Sequence, residues 1–319
     1  MLYPLTNSPG ILNLELTLPA GQVFCWEKDP NTNEWFGVMH DIAYWLSQDE
    51  QGCVSFRYAS DNSSISPEDA KRKLHEFFQL EIDLQSLVSD WSKGCPQFEK
   101  IIADSVFRNG LRICRQAPFE CLISFIVSAN NHIKRIGSNL KSIRTKYGSL
   151  IASSGEWNLY TFPTVDQLAT ATEEQLRDLG LGYRAGYIVK TCQQLIIARQ
   201  LPDLTQLEFL RKETDIGIAR NFLMNLAGVG RKVADCVCLY SLDFPSVAPV
   251  DTHMFQIAQR LFKSVPKDKY MHETIQRLMI ERFGEKAGWA HCFLFAAHLP
   301  SLTRAALSPS QDKRIRVRE

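Results

Sequence analysis

The sequence predicts an α+β fold, in which an antiparallel sheet near the start of the chain precedes an all-helical region. Two observations predict it. In the first part of the chain, short apolar runs are separated by polar, turn-forming residues, as in strands. From Ser66 onward the apolar runs become helix-length, and Gly and Pro separate several of them. Apolar residues make up 45% of the chain and charged residues 22%, which is typical of a folded globular protein.

The predicted sheet begins with an alternating run. The leucines from Leu12 to Leu18 alternate with polar residues, which is the period of a half-buried strand. Further runs typical of strands lie at residues 36–39, 42–46 and 53–58. Because the connections between these runs are short, we expect an antiparallel meander.

The helical region is predicted to begin at Ser66. Ser66 is a typical N-cap, Pro67 suits the first helical position, and acidic residues follow in the first turn. No strand is predicted beyond this point. Helix-length apolar runs lie near residues 98–113, 119–129, 136–147, 164–171, 173–179, 184–199, 218–226, 231–242, 252–262, 271–283 and 287–299.

We expect three regions along the chain. Residues 1–105 form an N-terminal antiparallel β-sheet domain with flanking helices, 106–300 form a helical catalytic domain, and 301–319 form a disordered basic tail. The first region holds 7 Lys and Arg against 16 Asp and Glu, whereas residues 106–319 hold 29 against 19. This asymmetry indicates that the second part of the chain binds a polyanion, although chance clustering of solvated charges would look the same.

Some classes of protein are excluded by composition. No uncharged apolar run reaches the roughly 18 residues that a membrane-spanning helix needs. The first residues lack the basic start and apolar core of a secretion signal, so we do not expect export. The nine cysteines are an odd number scattered through apolar runs, which favours free thiols in a reducing compartment.

A glycine-rich turn between two helical patterns is the first candidate for function. The segment reads LAGVGRK over residues 226–232, and apolar residues at i, i+3, i+4 and i+7 begin at Val233. Gly228 and Gly230 let the backbone approach another backbone or a phosphate without a Cβ in the way. Free N–H groups at the start of the second helix suit a phosphate oxygen, so the pattern predicts a helix-hairpin-helix. On its own, a GxG between helices is also compatible with a simple turn.

Lys232 and Asp251 are the candidate catalytic residues. Lys232 falls in the first turn of the second helix, where acidic residues are preferred, and it could act there as an amine nucleophile. Asp251, in the segment PVDTH, precedes another apolar face and is placed as a helix N-cap, with His253 off that face. The alternatives are a solvated surface lysine and a purely capping aspartate. The combination of GVGxK with PVDxH is more specific than either half.

Several segments together resemble the helix-hairpin-helix DNA glycosylase superfamily, and within it the 8-oxoguanine DNA glycosylases. The resemblance extends from about residue 10 to residue 300, in the family's order. It implies a TBP-like antiparallel sheet followed by an all-α helix-hairpin-helix domain. The matching segments are LPAGQVFCW at 18–26, SFIVSANNHIKRI at 124–136, LGLGYRAGYI at 179–188, GVGRKVADCVCL at 228–239, PVDTHMFQIAQR at 249–260 and GWAHCFLFAAHL at 288–299.

The resemblance implies a bifunctional base excision repair enzyme. The lysine matching Lys232 attacks C1′ of the damaged nucleotide, releases the base and forms a Schiff base, after which β-elimination nicks the strand. The aspartate matching Asp251 supports that lysine and stabilises positive charge on the sugar. No metal or cofactor is implied. The implied partner is duplex DNA with an oxidised purine opposite cytosine, and we expect a monomer without membrane association.

The resemblance also implies a pocket for the flipped base. Gly21 matches the glycine whose carbonyl accepts from the N7 proton that distinguishes 8-oxoguanine from guanine. Cys236 and Phe295 match the pair that sandwiches the base. His291 stands where the family has a glutamine on the pairing edge of the base, so base selection is expected to survive in altered, pH-dependent form. Cys236 and Phe295 could instead be ordinary core residues.

Contacts with DNA are implied for the remaining matching positions. Asn130 matches the residue that fills the gap beside the estranged cytosine, Arg135 and Arg184 match arginines that read this cytosine, and Tyr183 matches the wedge opposite it. Tyr183 could instead be a helix-end aromatic. The further implied phosphate-binding positions are Gly228, Gly230 and His253.

Two departures and two alternatives accompany this interpretation. The family's usual LPGVG is LAGVG here, and no cysteine follows Cys292, so the iron–sulfur loop of related branches is absent. A glycosylase for another oxidised or alkylated purine, or a non-catalytic DNA-binding module, are the alternatives. Branches that act on alkylated bases lack the lysine, and a binder would not need the pair of Lys232 and Asp251. We expect a nuclear location if the source is eukaryotic, and otherwise the cytoplasm or nucleoid.

Overall fold

The structure is a computed structural model of the 319-residue chain. It describes residues 1–62, 64–103, 109–155, 157–199, 207–262, 265–299 and 302. Most of the basic segment predicted as a tail therefore lies outside the described residues. The predicted boundaries at residues 105 and 300 stay predictions.

A five-stranded antiparallel sheet forms the first layer, in the order β1-β5-β4-β3-β2. The predicted runs at 36–39, 42–46 and 53–58 are confirmed as β3, β4 and β5, joined by short turns. Two short outer strands were not predicted. The strands are β1 Tyr3–Pro4, β2 Trp26–Lys28, β3 Trp35–Met39, β4 Ile42–Gln48 and β5 Val54–Ala59.

Helices make up most of the remaining described chain. The predicted start at Ser66 is confirmed, since its side chain accepts from Asp69 N–H at 3.1 Å. Beyond it, the helices are Pro67–Phe78, Leu84–Gly94, Pro96–Ile101, Pro118–Ser128, Ile133–Tyr147, Val165–Ala169, Glu173–Leu176, Arg184–Ala198, Ile216–Met224, Arg231–Ser241, Thr252–Leu261, Met271–Phe283 and Ala287–His298, with a π-helical turn at Arg177–Leu181 and 3₁₀ turns at Leu207–Lys212 and Gly284–Lys286. None of the described helices combines the length and apolar character needed to cross a bilayer.

The strand predicted from Leu12 to Leu18 is wrong. A one-turn helix, Leu14–Thr17, occupies this position, and the side chain of Asn13 caps it by accepting from Leu16 N–H at 3.1 Å. The alternating leucines do not mark one buried face, because all of them are buried between two apolar clusters. Because apolar clusters lie on two sides of this turn, alternating leucines can be buried from a helical turn as well as from a strand.

The expectation that no strand follows Ser66 is also wrong. Strands β6 (Leu150–Ser154) and β7 (Trp157–Tyr160) form a separate antiparallel hairpin. Trp157 packs on Phe36 of β3, with ring centroids 4.8 Å apart, so the hairpin covers the outer face of the sheet. Its position depends on this long-range contact, which local sequence does not reveal.

The apolar run at 98–113 is a short helix followed by irregular chain. The helix ends at Ile101, residues 104–108 lie outside the described residues, and 111–117 have no regular structure. This irregular segment is mostly buried, and its polar backbone groups can be buried because they bond to other elements. Arg115 N–H donates to Phe77 O, and Gln116 N–H donates to Tyr240 O. The segment 111–117, called the irregular strut below, therefore runs through the core and connects the helices Pro67–Phe78 and Arg231–Ser241.

Three apolar clusters stabilise the molecule. The largest lies among the helices and also includes Leu16, Ala20 and Phe24 from the start of the chain. The second lies between the sheet and the helix Pro67–Phe78, and the third lies under the β6–β7 hairpin. All nine cysteines are free, in agreement with the predicted free thiols.

Gln22 joins the first residues to the helical core. Its amide nitrogen donates to Thr17 O at 3.1 Å and to Arg112 O at 2.7 Å, and its amide oxygen accepts from Cys114 N–H at 2.9 Å. Its own carbonyl accepts from the side chain of Gln116 at 2.9 Å. This buried side chain thus fixes the backbone that carries Gly21.

We predict that Gln22→Leu lowers the free energy of unfolding by at least about 2 kcal/mol in urea titrations. The change keeps the volume but leaves Cys114 N–H and the Thr17 and Arg112 carbonyls short of a partner, and each buried group left so costs about 1–3 kcal/mol. The control Gln51→Leu, on an exposed side chain, should stay within about 0.5 kcal/mol of wild type. Equal stability of the two variants would contradict this stabilising role of the Gln22 hydrogen bonds.

Candidate active site and nucleic-acid interface

The predicted helix-hairpin-helix is present. Helices Ile216–Met224 and Arg231–Ser241 flank the glycine turn, and Gly228 has a positive φ of 75°. Gly230 is the N-cap of the second helix, and no side chain caps it. The first N–H groups of this helix can therefore bind an acceptor from outside, such as a phosphate oxygen.

Lys232 lies half-buried in the first turn of that second helix. Its Nζ lies over the ring of Phe125, 5.0 Å from the centroid, and within hydrogen-bonding reach of the Cys236 thiol one turn later. Burial raises the pKa of Cys236 to about 11, although Lys232 opposes this shift. The thiol therefore stays protonated beside the amine.

Asp251 caps the helix Thr252–Leu261, as predicted. Its Oδ1 accepts from Met254 N–H at 2.8 Å. One carboxylate oxygen is thus used for capping, and the carboxylate also acts electrostatically on both Cys236 and His291. A capping role alone does not account for its proximity to these two side chains.

His291 is buried in the same place, only 4% exposed. Burial and the charge of Lys232 lower its pKa to about 4, against the opposing effects of Asp251 and a backbone hydrogen bond with Pro249. Since a proline offers only its carbonyl, the ring N–H is the donor. His291 is therefore neutral near pH 7, and it gains a proton well below neutrality, whereas the expected pH-dependent recognition needs it to do so near neutrality. That recognition stays a prediction.

The other predicted pocket residues lie next to His291. The ring of Phe295 stacks beside His291 at 6.0 Å between centroids, and His253 approaches Phe295 edge-on at 6.3 Å. A Cβ on Gly21, whose φ is 76°, would lie 3.0 Å from Ile133 Cδ1 and 3.9 Å from Phe295 Cε1. Only glycine fits both this backbone angle and this approach.

Three side chains behind Lys232 were not predicted as part of the site, namely Phe125, Tyr240 and Cys292. Phe125 stacks on Tyr240 at 5.5 Å and 9° between planes, and the Tyr240 hydroxyl lies 3.4 Å from Cys292 Sγ. Phe125 and Cys292 lie inside segments that carried the family resemblance, and Tyr240 directly follows another one. Only their apolar periodicity was visible there, and it indicated core.

A second group of predicted residues lies around the turn at Ala129 and Asn130. Asn130 has a positive φ of 49° and is exposed, as an extending side chain would be. The Tyr183 hydroxyl donates to Ala129 O at 3.2 Å while its ring stays 47% exposed. Arg135 is exposed and donates to Gly180 O at 3.3 Å. The implied gap-filler, wedge and one reading arginine therefore share one edge.

Arg184 differs from the expectation of a base-reading arginine. Its side chain is 6% exposed, and its guanidinium donates to Ala129 O at 2.9 Å and Asn130 O at 2.8 Å. In this structure it holds the turn that carries Asn130. These bonds do not show whether its remaining N–H group contacts a base, so the reading role stays a prediction.

The departure at Ala227 has a partner in the structure. Ala227 N–H, which a proline would lack, donates to Gln194 Oε1 at 2.8 Å. The glycine turn is thus fixed from the neighbouring helix Arg184–Ala198. Among the described residues, no three His, Cys, Asp or Glu side chains are arranged to hold a metal ion.

Comparison with known proteins gives the same family over both parts of the chain. Residues 4–122 match the N-terminal domain of 8-oxoguanine DNA glycosylase, and residues 123–280 match the HhH-GPD superfamily of base excision DNA repair proteins. The N-glycosylase/DNA lyase OGG1 of Arabidopsis thaliana is 34% identical over 97% of this chain and 83% of its own length. The N-glycosylase/DNA lyase of Saccharomyces cerevisiae is 31% identical over 95% and 88%.

The chain belongs to the 8-oxoguanine DNA glycosylase family. Among solved structures, the 8-oxoguanine glycosylase/lyase of Clostridium acetobutylicum, in complex with duplex DNA containing cytosine opposite 8-oxoguanine, superposes with a TM-score of 0.77. It is 28% identical, covering 93% of this chain and 96% of that one. The predicted family and fold class are confirmed, whereas the roles assigned to single site residues stay predictions.

His291 gives this glycosylase an acid-sensitive component of stability. Its pKa of about 4 in the folded state lies below the 6.5 of a free histidine, so the unfolded state binds more protons between these values. This stabilisation is present above pH 6.5 and is lost as the pH falls. At pH 5 the loss amounts to about 2 kcal/mol.

We predict that His291→Gln loses less stability than wild type when urea unfolding is repeated at pH 7 and pH 5. Glutamine has no proton to gain, so the component described above is absent. The His75→Gln variant, on a side chain that is 46% exposed, should keep the pH dependence of wild type. Parallel losses in wild type and His291→Gln would show that the buried ring is not the source.

Proposed function

We propose that this protein is an N-glycosylase/DNA lyase that excises 8-oxoguanine lying opposite cytosine and then nicks the strand. The single observation that carries the proposal is that the Lys232 amine and the Asp251 carboxylate both lie close enough to Cys236 and His291 to act electrostatically on them. The names of the relatives support the activity, and the DNA complex of the Clostridium acetobutylicum protein supports the pairing partner.

Lys232 supplies the nucleophile in this proposal. Once it has given up a proton to solvent, its amine attacks C1′ of the damaged nucleotide while the bond from C1′ to the base breaks. The base leaves with the electron pair and takes up the proton that the attacking nitrogen loses. Opening of the sugar ring gives a Schiff base between Nζ and C1′. Loss of a proton from C2′ then expels the 3′ phosphate, which is the β-elimination that nicks the strand.

Asp251 stabilises the charge that develops in the first step. Positive charge accumulates on the sugar as the base departs, and a carboxylate fixed by its cap bond to Met254 N–H offers an oriented countercharge. The rigid cap means that little reorganisation is needed during the reaction. The carboxylate does this without a metal, and we propose that the enzyme requires no cofactor.

The base pocket selects the lesion through Gly21, with Phe295 and Cys236 as its two walls. The carbonyl of Gly21 accepts from the N7 proton that guanine lacks. His291 is neutral and its N–H is used by Pro249, so only its acceptor nitrogen is available to the base. This single acceptor favours a second candidate substrate class, in which other oxidised purines are excised as well.

Duplex DNA binds to the basic part of the chain in this proposal. The hairpin N–H groups and His253 hold phosphates of the damaged strand, and Asn130 and Tyr183 enter the space left by the flipped nucleotide. We propose further that the enzyme acts as a monomer. A nuclear location is proposed for a eukaryotic source, and the cytoplasm or nucleoid otherwise.

We predict that Lys232→Gln abolishes covalent trapping on an 8-oxoguanine:cytosine duplex in the presence of borohydride. Glutamine cannot form a Schiff base, whereas the hairpin N–H groups remain, so binding of undamaged duplex should stay within about twofold. Lys93→Gln, on an exposed lysine of another helix, serves as the control and should trap normally. A covalent band from Lys232→Gln would mean that a different amine reacts.

We predict that Asp251→Asn slows base release in single-turnover assays by on the order of 10² or more. Asn caps a helix about as well as Asp, so thermal unfolding should change little. A matched control is Asp83→Asn, because Asp83 caps the helix Leu84–Gly94 in the same way, accepting from Ser86 N–H at 3.0 Å. Wild-type rates for both variants would leave Asp251 with a capping role only.

A further inference from the structure

One face of the helix Arg184–Ala198 holds the glycine turn of the hairpin. Tyr187, Thr191 and Gln194 are spaced at i, i+4 and i+7 and therefore lie on the same face. A Cβ on Gly228 would lie 2.6 Å from the ring of Tyr187, so the turn packs directly on this ring. Thr191 Oγ1 donates to Ala227 O at 2.9 Å.

Gln194 makes the polar contacts at the far end of this face. Its Oε1 accepts from Ala227 N–H at 2.8 Å, and its Nε2 donates to Asn225 O at 3.0 Å. The carboxamide offers a donor and an acceptor side by side, and the turn uses both. Neither an aliphatic side chain nor a carboxylate of similar length could make both bonds.

The contact matters because the turn has alanine at position 227. The family pattern LPGVG places proline there, which has no N–H and a fixed φ near −65°. Compared with proline, alanine adds an N–H group, which needs an acceptor. Its φ angle is also free to vary. Gln194 supplies the acceptor, and its two bonds restrict the backbone that proline would have restricted covalently.

The restricted segment leads directly into the chemistry. After Ala227 the chain passes Gly228 and Gly230 and enters the helix Arg231–Ser241, whose uncapped start carries the phosphate-binding N–H groups and Lys232. A shift of the turn moves both groups together, since they belong to the same helix end. Misplacement of a reacting group by about 1 Å can cost up to about 100-fold in rate.

We propose that Gln194 is a positioning residue, which replaces the missing proline by fixing Ala227 and thereby sets the hairpin for phosphate binding and Lys232 for attack. This inference rests on the proposed function for its effect on rate. Its effect on duplex binding needs no chemistry. The two effects can therefore be measured separately.

The experiment compares Gln194→Leu, Ala227→Pro and the double variant. Gln194→Leu leaves Ala227 N–H without its acceptor, and we expect weaker binding of undamaged duplex and a single-turnover rate at saturating damaged duplex that is lower by about tenfold. In the double variant, Pro at 227 needs no acceptor and fixes φ again, so both quantities should return to within about twofold of wild type. Ala227→Pro alone should change little.

Controls separate positioning from general stability. Gln193→Leu, on the neighbouring exposed side chain, should match wild type in duplex affinity and rate. Thermal unfolding is recorded for every variant, and Gln194→Ala replaces Gln194→Leu if the latter does not fold. If Gln194→Leu acted only by lowering stability, Ala227→Pro would not restore affinity and rate in the Gln194→Leu variant while leaving wild type unchanged.

Rescue by Ala227→Pro is the decisive result. A double variant as weak in binding and as slow as Gln194→Leu, or a Gln194→Leu variant with wild-type affinity and rate, would overturn the proposal. If wild type itself neither traps nor cleaves, the proposed function fails. In that case the positioning role of Gln194 is still tested by duplex affinity, measured by fluorescence anisotropy. Affinity should fall in Gln194→Leu and return in the double variant.

Discussion

The placement of the active site depends on the buried amide of Gln22. A polar side chain in the core is retained only where its donors and acceptors are satisfied, and here Thr17, Arg112 and Cys114 satisfy them. These bonds fix the start of the chain to the irregular strut at 111–117, which in turn bonds to the hairpin helix at Tyr240. The backbone of Gly21 is thereby held opposite Phe295, although the two residues lie at opposite ends of the chain.

Within the pocket, burial decides which groups carry charge. His291 loses its proton affinity because desolvation and Lys232 both disfavour the imidazolium, and Cys236 keeps its proton because burial disfavours the thiolate. The site proposed for the base is therefore lined by the neutral side chains of His291 and Cys236.

The sequence predicted those features that local pattern determines. The central strands and the Ser66 cap follow from alternation and capping chemistry, and the motif around Lys232 and Asp251 marked the candidate reactive pair. The run from Leu12 to Leu18 misled, because its leucines are divided between two apolar clusters around a single helical turn, although they alternate with polar residues as in a strand. Contacts between distant residues, such as Trp157 with Phe36, leave no local signal at all.

Departures from the family pattern become interpretable when each polar group is followed to its partner. Ala227 exposes an N–H that proline would lack, and this N–H ends on Gln194. His291 introduces a ring N–H where the family has a carboxamide, and this N–H ends on the Pro249 carbonyl. In both places the added N–H donates to an acceptor within the protein, so neither change leaves an unpaired donor. The first change therefore preserves the geometry of the turn. The second removes one donor from the proposed base pocket, and it leaves Lys232 and Asp251, the pair proposed to react, in place.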